Sequence, residues 1–161
     1  MSSPAELTQD AHEVAEAIAR RLADTELKVA VAESLTSGSL ASQLGAATNA
    51  SVWFAGGVVA YTTAVKVRVL GVDPGPVVNA RCARQMARGT LSLTQADFAV
   101  STTGVGGPDP DEGQPAGTVF LAVASADGEK VAEHHFDGDP GEVVQAATLE
   151  ALRMLLAAIN A

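Results

Sequence analysis

The 161-residue chain contains one cysteine, Cys82, and few aromatic residues, which make up 4% of the sequence. A single cysteine cannot form a disulfide within the chain or assemble a zinc site built on several thiolates. Hydrophobic residues amount to 47% and charged residues to 18%, which is typical of a folded domain rather than a disordered chain. The length favours one domain, which we expect to span residues 1–161.

Long apolar runs are also missing. The longest nearly apolar run, Val52 to Tyr61, has ten residues and includes two glycines, whereas a membrane-spanning helix needs about 18 or more. The chain begins Met-Ser-Ser-Pro-Ala-Glu and lacks the basic-then-apolar pattern of a signal peptide. We therefore expect no membrane span and a cytoplasmic location.

Positive charge is scarce, because 10 Lys and Arg residues oppose 19 Asp and Glu residues for a net charge of −9. This balance excludes a nonspecific nucleic-acid binder, which needs a basic face to displace counterions from phosphates. In residues 61–90, however, five basic residues oppose Asp73 alone. The composition therefore stays compatible with a small phosphate-bearing ligand, provided that the ligand meets this middle segment.

Several motifs for cofactors and metals are absent. The sequence has no Walker A motif and no H-E-x-x-H motif, and Asp109 occupies the position of the third glycine in a dinucleotide fingerprint. His134 and His135 are adjacent on a predicted strand, so they point to opposite faces and cannot share one metal ion. A Ser-His-Asp triad has no support from the spacing of these residues. We expect neither a metal nor a cofactor.

Helices and strands alternate along most of the chain, and a pair of strands follows. Hydrophobic spacing predicts helices over 4–24, from 36 or 37 to 45, over 63–70, from 80 onward and over 141–159. It predicts strands over 28–32, 57–61, 97–102, 117–124 and 130–136, with the second strand buried and the last two joined as a hairpin across Asp127-Gly128. This order predicts an α/β fold, a three-layer α/β/α sandwich on a mixed β-sheet.

Capping residues indicate several helix ends. Ser3 and Glu6 form a capping box at the start of the first helix, with proline at its first position. Asn79 is placed to cap the helix that follows it, and Gly71 to end the helix before it.

Small polar residues follow the first predicted strand, in the segment Glu33-Ser34-Leu35-Thr36-Ser37-Gly38. Backbone amides and the helix dipole at such a junction favour an oxyanion or a phosphate. The alternative is that Ser34, Thr36 and Ser37 only cap the following helix.

A lysine and a tyrosine follow the second predicted strand, where Lys66 lies five residues after Tyr61. A lysine in this position can act as a base if burial lowers its pKa, and the alternative is an ordinary solvated lysine. Three arginines, Arg81, Arg84 and Arg88, share one face of the next helix, where we expect a solvent-facing stripe.

The segment from Thr103 to Ala116 contains four glycines and three prolines, which predicts a long loop. Closely spaced glycines such as Gly104, Gly106 and Gly107 allow backbone amides to approach a ligand, as in anion-binding nests. The alternative is that they only turn the chain.

Four motifs in this order resemble the CinA C-terminal domain family, which includes stand-alone nicotinamide-nucleotide amidohydrolases of the PncC type. They are Ala32-Glu33-Ser34-x-Thr36-x-Gly38, Tyr61 with Lys66 and Gly71-Val72, Thr103-Gly104-Val105-Gly106-Gly107-Pro108-Asp109, and Pro115-x-Gly117-Thr118-Val119. The likeness extends over nearly the whole chain. The molybdopterin-binding-like domain that precedes this domain in full-length members is not expected here.

The resemblance implies metal-independent hydrolysis of the carboxamide of nicotinamide mononucleotide (NMN), which yields nicotinic acid mononucleotide and ammonia. It assigns the nucleophile to Ser34 and the base to Lys66, with Tyr61 bonded within this pair or in contact with the pyridine ring. The oxyanion and phosphate would be held by backbone amides after Ser34 and in the glycine loop. The substrate-binding residues implied are Glu33, Thr36, Ser37, Gly38, Thr103, Gly104, Gly106 and Gly107. The resemblance also implies a small nucleotide as the partner, and a homodimer.

The sequence departs from the family pattern at three positions. Ser37 stands where the family usually has a glycine, and Pro140 and Val144 stand where it usually has arginines. If those arginines bind the substrate phosphate, this chain must use another cation or another ligand. A catalytically silent domain that binds a nucleotide or a partner is therefore the alternative to the enzyme, and a serine–lysine hydrolase of another amide is a third hypothesis.

Overall fold

The computed structural model describes residues 2–161, which form a five-stranded mixed sheet with helices on both faces. The strands are β1 (Val29–Glu33), β2 (Phe54–Val59), β3 (Phe98–Gly104), β4 (Thr118–Ser125) and β5 (Gly128–His135). Their order across the sheet is β2-β1-β3-β4-β5. The first three are parallel to one another, and β4 and β5 run antiparallel to their neighbours.

Six helices cover the sheet, and none of them in residues 2–161 is long and apolar enough to cross a membrane. They are α1 (Pro4–Leu22), α2 (Ser39–Gly45), α3 (Ala50–Trp53), α4 (Thr63–Leu70), α5 (Ala80–Thr94) and α6 (Pro140–Asn160). Helices α1, α2 and α6 enclose the larger core with valines of β1, β3 and β4. Helices α4 and α5 pack on the opposite face, so the predicted three-layer α/β/α sandwich is confirmed.

Local sequence signals placed several element ends correctly. Ser3 and Glu6 form the predicted capping box, Asn79 accepts from the amide of Cys82 at the start of α5, and Gly71 ends α4 at a φ of 68°. The β4–β5 hairpin is also confirmed. Each of these features depends on neighbouring residues, so the sequence alone contains the information for it.

Two predictions for the first half of the chain were wrong, one for a strand and one for a helix. The second strand is Phe54–Val59 rather than 57–61, and it is not buried, because it pairs only with β1 and forms one edge of the sheet. Helix α2 begins at Ser39 rather than at residue 36 or 37, because residues 34–38 form a turn before it.

The strand order creates a crevice at the carboxyl end of the sheet. From β1 the chain passes to β2 on one side and then to β3 on the other, so the connections leave β1 and β3 in opposite directions. In parallel α/β sheets such a switch point leaves an opening beyond the strand ends, where ligands bind. Ser34 lies directly after β1, and Gly104 ends β3, so both lie at this opening.

Candidate active site

A cleft of about 490 Å³ opens at the carboxyl ends of β1, β2 and β3. This volume is within the range of sites for small molecules, about 300–1,000 Å³. The residues that line it are Ser34, Leu35, Tyr61, Thr62, Thr63, Lys66, Val77, Val78, Thr103, Gly104, Val105, Gly106, Gly107, Asp109, Asp111 and Glu112. It is the place where the serine and the lysine suggested by the sequence meet.

Ser34 and Lys66 form a hydrogen-bonded pair although 32 residues separate them along the chain. Lys66 Nζ donates to Ser34 Oγ over 2.9 Å and to the carbonyl oxygen of Tyr61 over 3.1 Å. The lysine side chain leaves α4, whose first turn is capped by the Thr62 hydroxyl accepting from the amide of Val65. This cap fixes the start of α4 and therefore the direction from which Lys66 approaches Ser34.

Burial controls the protonation of Lys66, whose side chain belongs to the core although it ends in an amine. The residue is 1% exposed, and loss of hydration lowers its pKa from the ordinary lysine value. The charge of the Cys82 thiolate, where that group is ionised, and the charge of Glu112 raise the Lys66 pKa, but they do not cancel the lowering by burial. Burial also raises the pKa of the Cys82 thiol, which favours the uncharged form of that group. Burial therefore shifts the amine toward its neutral form, the form that can accept a proton from Ser34.

Backbone amides of residues that line the cleft are candidates to stabilise a developing oxyanion. The amides of Leu35, Gly106 and Gly107 donate to no protein acceptor within residues 2–161, and all three residues line the cleft. Leu35 directly follows Ser34, so its N–H belongs to the peptide unit next to the serine. An amide in this position and one from a facing loop form the usual oxyanion hole of serine hydrolases.

The start of α2 differs from the predicted anion site. The amides of Leu40 and Ala41 donate to the two carboxylate oxygens of Glu33, over 2.9 and 3.0 Å. Glu33 is fully buried, so its charge replaces an external anion at this helix end. The amides in the first turn of α2, which were predicted to hold an oxyanion, are therefore occupied by Glu33.

The loop between β3 and β4 is attached to the segment before α5 by Glu112. The carboxylate of Glu112 accepts from the amides of Val77 and Val78 over 2.7–3.0 Å, and the Thr103 hydroxyl donates to the carbonyl oxygen of Val77. These bonds tie the glycine loop to the segment before α5, and residues of both line the cleft.

Seven of the residues proposed from the sequence line the same cleft. They are Ser34, Tyr61, Lys66, Thr103, Gly104, Gly106 and Gly107. Tyr61 contributes its carbonyl oxygen to Lys66, whereas its side chain is 64% exposed and its hydroxyl makes no bond to the pair. A contact between its ring and a substrate stays a prediction.

Four other proposed residues lie outside the lining. Glu33 binds the first turn of α2, and the Thr36 hydroxyl is bonded to that of Thr102 beneath the turn. Ser37 is exposed at a φ of 44°, and Gly38, at a φ of 106°, is the N-cap residue directly before α2. Neither Thr36 nor Ser37 caps the helix with its side chain, so the capping alternative was wrong. These residues shape the turn that presents Ser34.

Three acidic residues of the loop were missed by sequence reasoning. Asp109, Asp111 and Glu112 all line the cleft, and Glu112 holds the loop in place. The available signal was a cluster of acids in a segment that the glycines had already marked as a candidate site.

The positive charges of the middle segment lie elsewhere. Of its five basic residues only Lys66 lines the cleft, while Arg81 pairs with Asp73 and Arg88 with Glu129 on the exposed side of α5. The predicted solvent-facing arginine stripe is confirmed. Pro140 and Val144, on α6, are not part of the lining either. The structure therefore supplies no strong cation at the cleft in place of the family arginines, as far as residues 2–161 show.

Comparison with known proteins places this architecture in a family. The sequence profile of the CinA C-terminal domain matches residues 11–159. A CinA-like protein of Frankia casuarinae is 39% identical over 132 residues, which cover 79% of this chain and 30% of that protein. This chain spans less than two fifths of the curated relatives of this kind.

Two solved structures share the fold along almost their full length. A CinA superfamily protein from Escherichia coli has a TM-score of 0.88 at 34% identity, with 92% of this chain and 90% of that chain covered. A competence/damage inducible protein from Agrobacterium tumefaciens has a TM-score of 0.88 at 33% identity, with 94% and 96% covered. The chain belongs to the CinA C-terminal domain family.

Proposed function

We propose that the protein is a metal-independent amidohydrolase that deamidates NMN with Ser34 as nucleophile and Lys66 as base. The observation that carries the proposal is the 2.9 Å contact between Ser34 Oγ and a lysine amine buried at the base of a substrate-sized cleft. Burial of a lysine amine costs free energy through lost hydration, and a lowered pKa at a group in a cleft is typical of functional sites. The resemblance of the surrounding motifs to nicotinamide-nucleotide amidohydrolases supplies the substrate.

The first half of the reaction forms an ester on Ser34. Ser34 Oγ attacks the carboxamide carbon and transfers its proton to the neutral amine of Lys66. The amides of Leu35, Gly106 and Gly107 then stabilise the oxyanion of the tetrahedral intermediate. Lys66 passes its proton to the amide nitrogen, the C–N bond breaks, and ammonia leaves. The base returns to its neutral form.

The second half releases the acid. A water molecule attacks the ester carbon and gives a proton to Lys66, which forms a second tetrahedral intermediate at the same amides. This intermediate collapses with cleavage of the bond to Ser34 Oγ, and Lys66 returns the proton to Ser34. The products are nicotinic acid mononucleotide and a regenerated enzyme, so one lysine serves as base and acid in both halves.

Ammonia release from NMN tests this proposal. Ser34→Ala and Lys66→Met should each lower kcat/KM by at least about 10³-fold, because the two groups act as one unit. Ser51→Ala on α3 and Lys130→Met on β5 are matched controls, because both side chains are exposed and lie outside the cleft. Activity retained by Ser34→Ala would remove the nucleophile from the mechanism.

A silent binding domain is the second candidate, and it is favoured by the presence of Pro140 and Val144 where the family carries arginines. Such a domain should be stabilised by NMN in a thermal-shift measurement while releasing no ammonia. Turnover that depends on Ser34 would exclude it.

A further inference from the structure

Three consecutive hydroxyl residues near the end of β3 bind three different parts of the molecule. Ser101, Thr102 and Thr103 are all buried. Ser101 donates to the carbonyl oxygen of Ala83 on α5, and Thr103 donates to that of Val77 before α5. Because side chains alternate between the two faces of a strand, Thr102 points to the opposite face, where it meets the turn between β1 and α2. No pattern in the sequence marked Thr102 as a site residue.

Thr102 contacts this turn on both sides of Leu35. The amide of Ser34 donates to the carbonyl oxygen of Thr102 over 3.0 Å and to its hydroxyl oxygen over 3.3 Å. The hydroxyl groups of Thr102 and Thr36 share a hydrogen bond over 2.8 Å. Leu35 lies between the two contacts, so a single side chain of β3 holds the nucleophile and the residue whose amide is a candidate oxyanion donor.

The turn depends on contacts of this kind to keep its shape. Ser37 has a φ of 44°, a left-handed conformation that costs free energy in a residue with a side chain. The amide of Ser37 donates to the carbonyl oxygen of Ser34, which is a bond within the turn itself. Thr36 and Thr102 are at most 1% exposed, so water cannot readily replace the bond between their hydroxyl groups. The hydroxyl of Thr102 therefore ties the turn to the rigid centre of the sheet.

We propose that Thr102 is a positioning residue for the hydrolysis, which holds Ser34 and the amide of Leu35 in the relative orientation that the tetrahedral intermediate requires. Thr102 is fully buried and does not line the cleft, so it acts through these two residues and not on the substrate. A displacement of reacting groups by about 1 Å can cost about 10²-fold in rate. The inference rests on the proposed function, which gives Ser34 and Leu35 their roles.

Steady-state ammonia release from NMN by Thr102→Val and Thr102→Ser tests the positioning role. Valine keeps the shape of the side chain without the hydroxyl, so kcat should fall about 10-fold to 100-fold. KM should change by less than about threefold, because the lost alignment matters mainly in the transition state. Thr102→Ser keeps the hydroxyl and should retain kcat within about threefold. A native kcat in Thr102→Val would overturn the inference.

Thr90→Val is the matched control for the loss of a buried hydroxyl. Thr90 is fully buried on α5, donates to the carbonyl oxygen of Met86 and lies outside the cleft. Its variant should keep the native kcat at temperatures below its melting temperature. An equal loss of kcat in Thr90→Val and Thr102→Val would assign the effect to stability and overturn the inference. Thr36→Val removes one of the two contacts from the other side and should lower kcat about threefold to tenfold, which tests the inference even if Thr102→Val does not fold.

Amide hydrogen exchange followed by NMR separates failure of the inference from failure of the proposed function. The amides of Ser34 and Ser37 should exchange about threefold to tenfold faster in Thr102→Val than in Thr102→Ser, because the turn opens more often without the hydroxyl. If the native protein releases no ammonia from NMN but exchange still differs in this way, the proposed function fails and the hold of Thr102 on the turn stands. Equal exchange in the two variants would overturn the inference whatever the catalytic result.

Discussion

At the scale of single residues, Lys66 is the position where a group proposed for catalysis costs the fold stability. Its amine lies in the core next to Ser34 and is 1% exposed, and burial lowers its pKa. An aliphatic residue in the same place would carry no such desolvation cost. If Lys66 is the base that we propose, the fold accepts a less stable core in exchange for an amine with a lowered pKa.

The lowered pKa of Lys66 predicts that this one residue makes the free energy of unfolding depend on pH. The unfolded chain, with a lysine pKa near 10.5, binds a proton more tightly than the folded chain does. The free energy of unfolding therefore increases as pH rises from the lowered pKa toward 10.5. Below the lowered pKa both the folded and the unfolded chain bind the proton, so this contribution to stability is absent there. The gain is about 1.4 kcal/mol for every tenfold difference in proton affinity.

Urea unfolding of the native protein and of Lys66→Met over about pH 7 to 10 measures this effect. The native protein should gain stability relative to the variant as pH rises, because the variant has no amine at this position. Lys130→Met, which removes an exposed lysine, should follow the native curve. A constant difference between native protein and Lys66→Met would show that the folded lysine keeps its ordinary pKa.

At the scale of elements, Glu33 connects the end of β1 to the beginning of α2. Its buried carboxylate accepts from the amides of Leu40 and Ala41, and the residue directly precedes Ser34. Helix α2 has seven residues and no side-chain cap from its own N-terminal residue, Gly38. The strand therefore supplies the cap that the helix lacks, and this contact also holds the turn that contains Ser34.

Glu33→Gln tests this connection. The amide side chain keeps one acceptor but turns an N–H donor toward a backbone N–H, so a buried donor loses its partner. We expect the free energy of unfolding to fall by about 1–3 kcal/mol in urea denaturation. Glu13→Gln removes the charge of an exposed carboxylate on α1 and should change stability by less than about 0.5 kcal/mol. A Glu33→Gln protein as stable as the native one would show that the carboxylate does not hold α2.

This element also shows where prediction from the sequence succeeds and where it stops. The caps at Ser3 and Asn79 and the β4–β5 hairpin follow from neighbouring residues, and they were predicted correctly. The cap of α2 comes from a carboxylate seven residues away across a turn, so no local pattern marked it, and the helix start was misplaced.

The candidate site likewise combines features that the sequence showed with features that it could not show. The glycine loop and the polar turn at Ser34 were visible as segments, whereas the pairing of Ser34 with Lys66 depends on the packing of α4. Family resemblance, not periodicity, suggested that pair. The solvent-facing arginine stripe of α5 was predicted correctly, but sequence reasoning could not show that this stripe lies outside the cleft, because that depends on how α5 packs against the sheet.

At the scale of the whole molecule, the two edges of the sheet differ in chemistry. Strand β5 carries five charged or titratable residues, Glu129, Lys130, Glu133, His134 and His135, which discourage pairing with another strand. Strand β2 has the sequence Phe-Ala-Gly-Gly-Val-Val without a charge, and no strand within residues 2–161 pairs with its outer side. Of the two edges, β2 is the one suited to add a strand from a second copy.

We therefore propose that the homodimer suggested by family resemblance forms through antiparallel pairing of β2 with its counterpart about a two-fold axis. Val59, which is 49% exposed on this edge, and Tyr61, which follows it at the cleft, would then lie near the interface. Val59→Lys places a charge on the edge and should shift the protein toward monomer in sedimentation velocity, by about tenfold or more in Kd. Leu93→Lys, at a residue 53% exposed on α5, adds the same charge elsewhere and should leave the dimer intact. A native protein that stays monomeric, or a dimer that dissociates in Leu93→Lys but not in Val59→Lys, would exclude β2 as the interface.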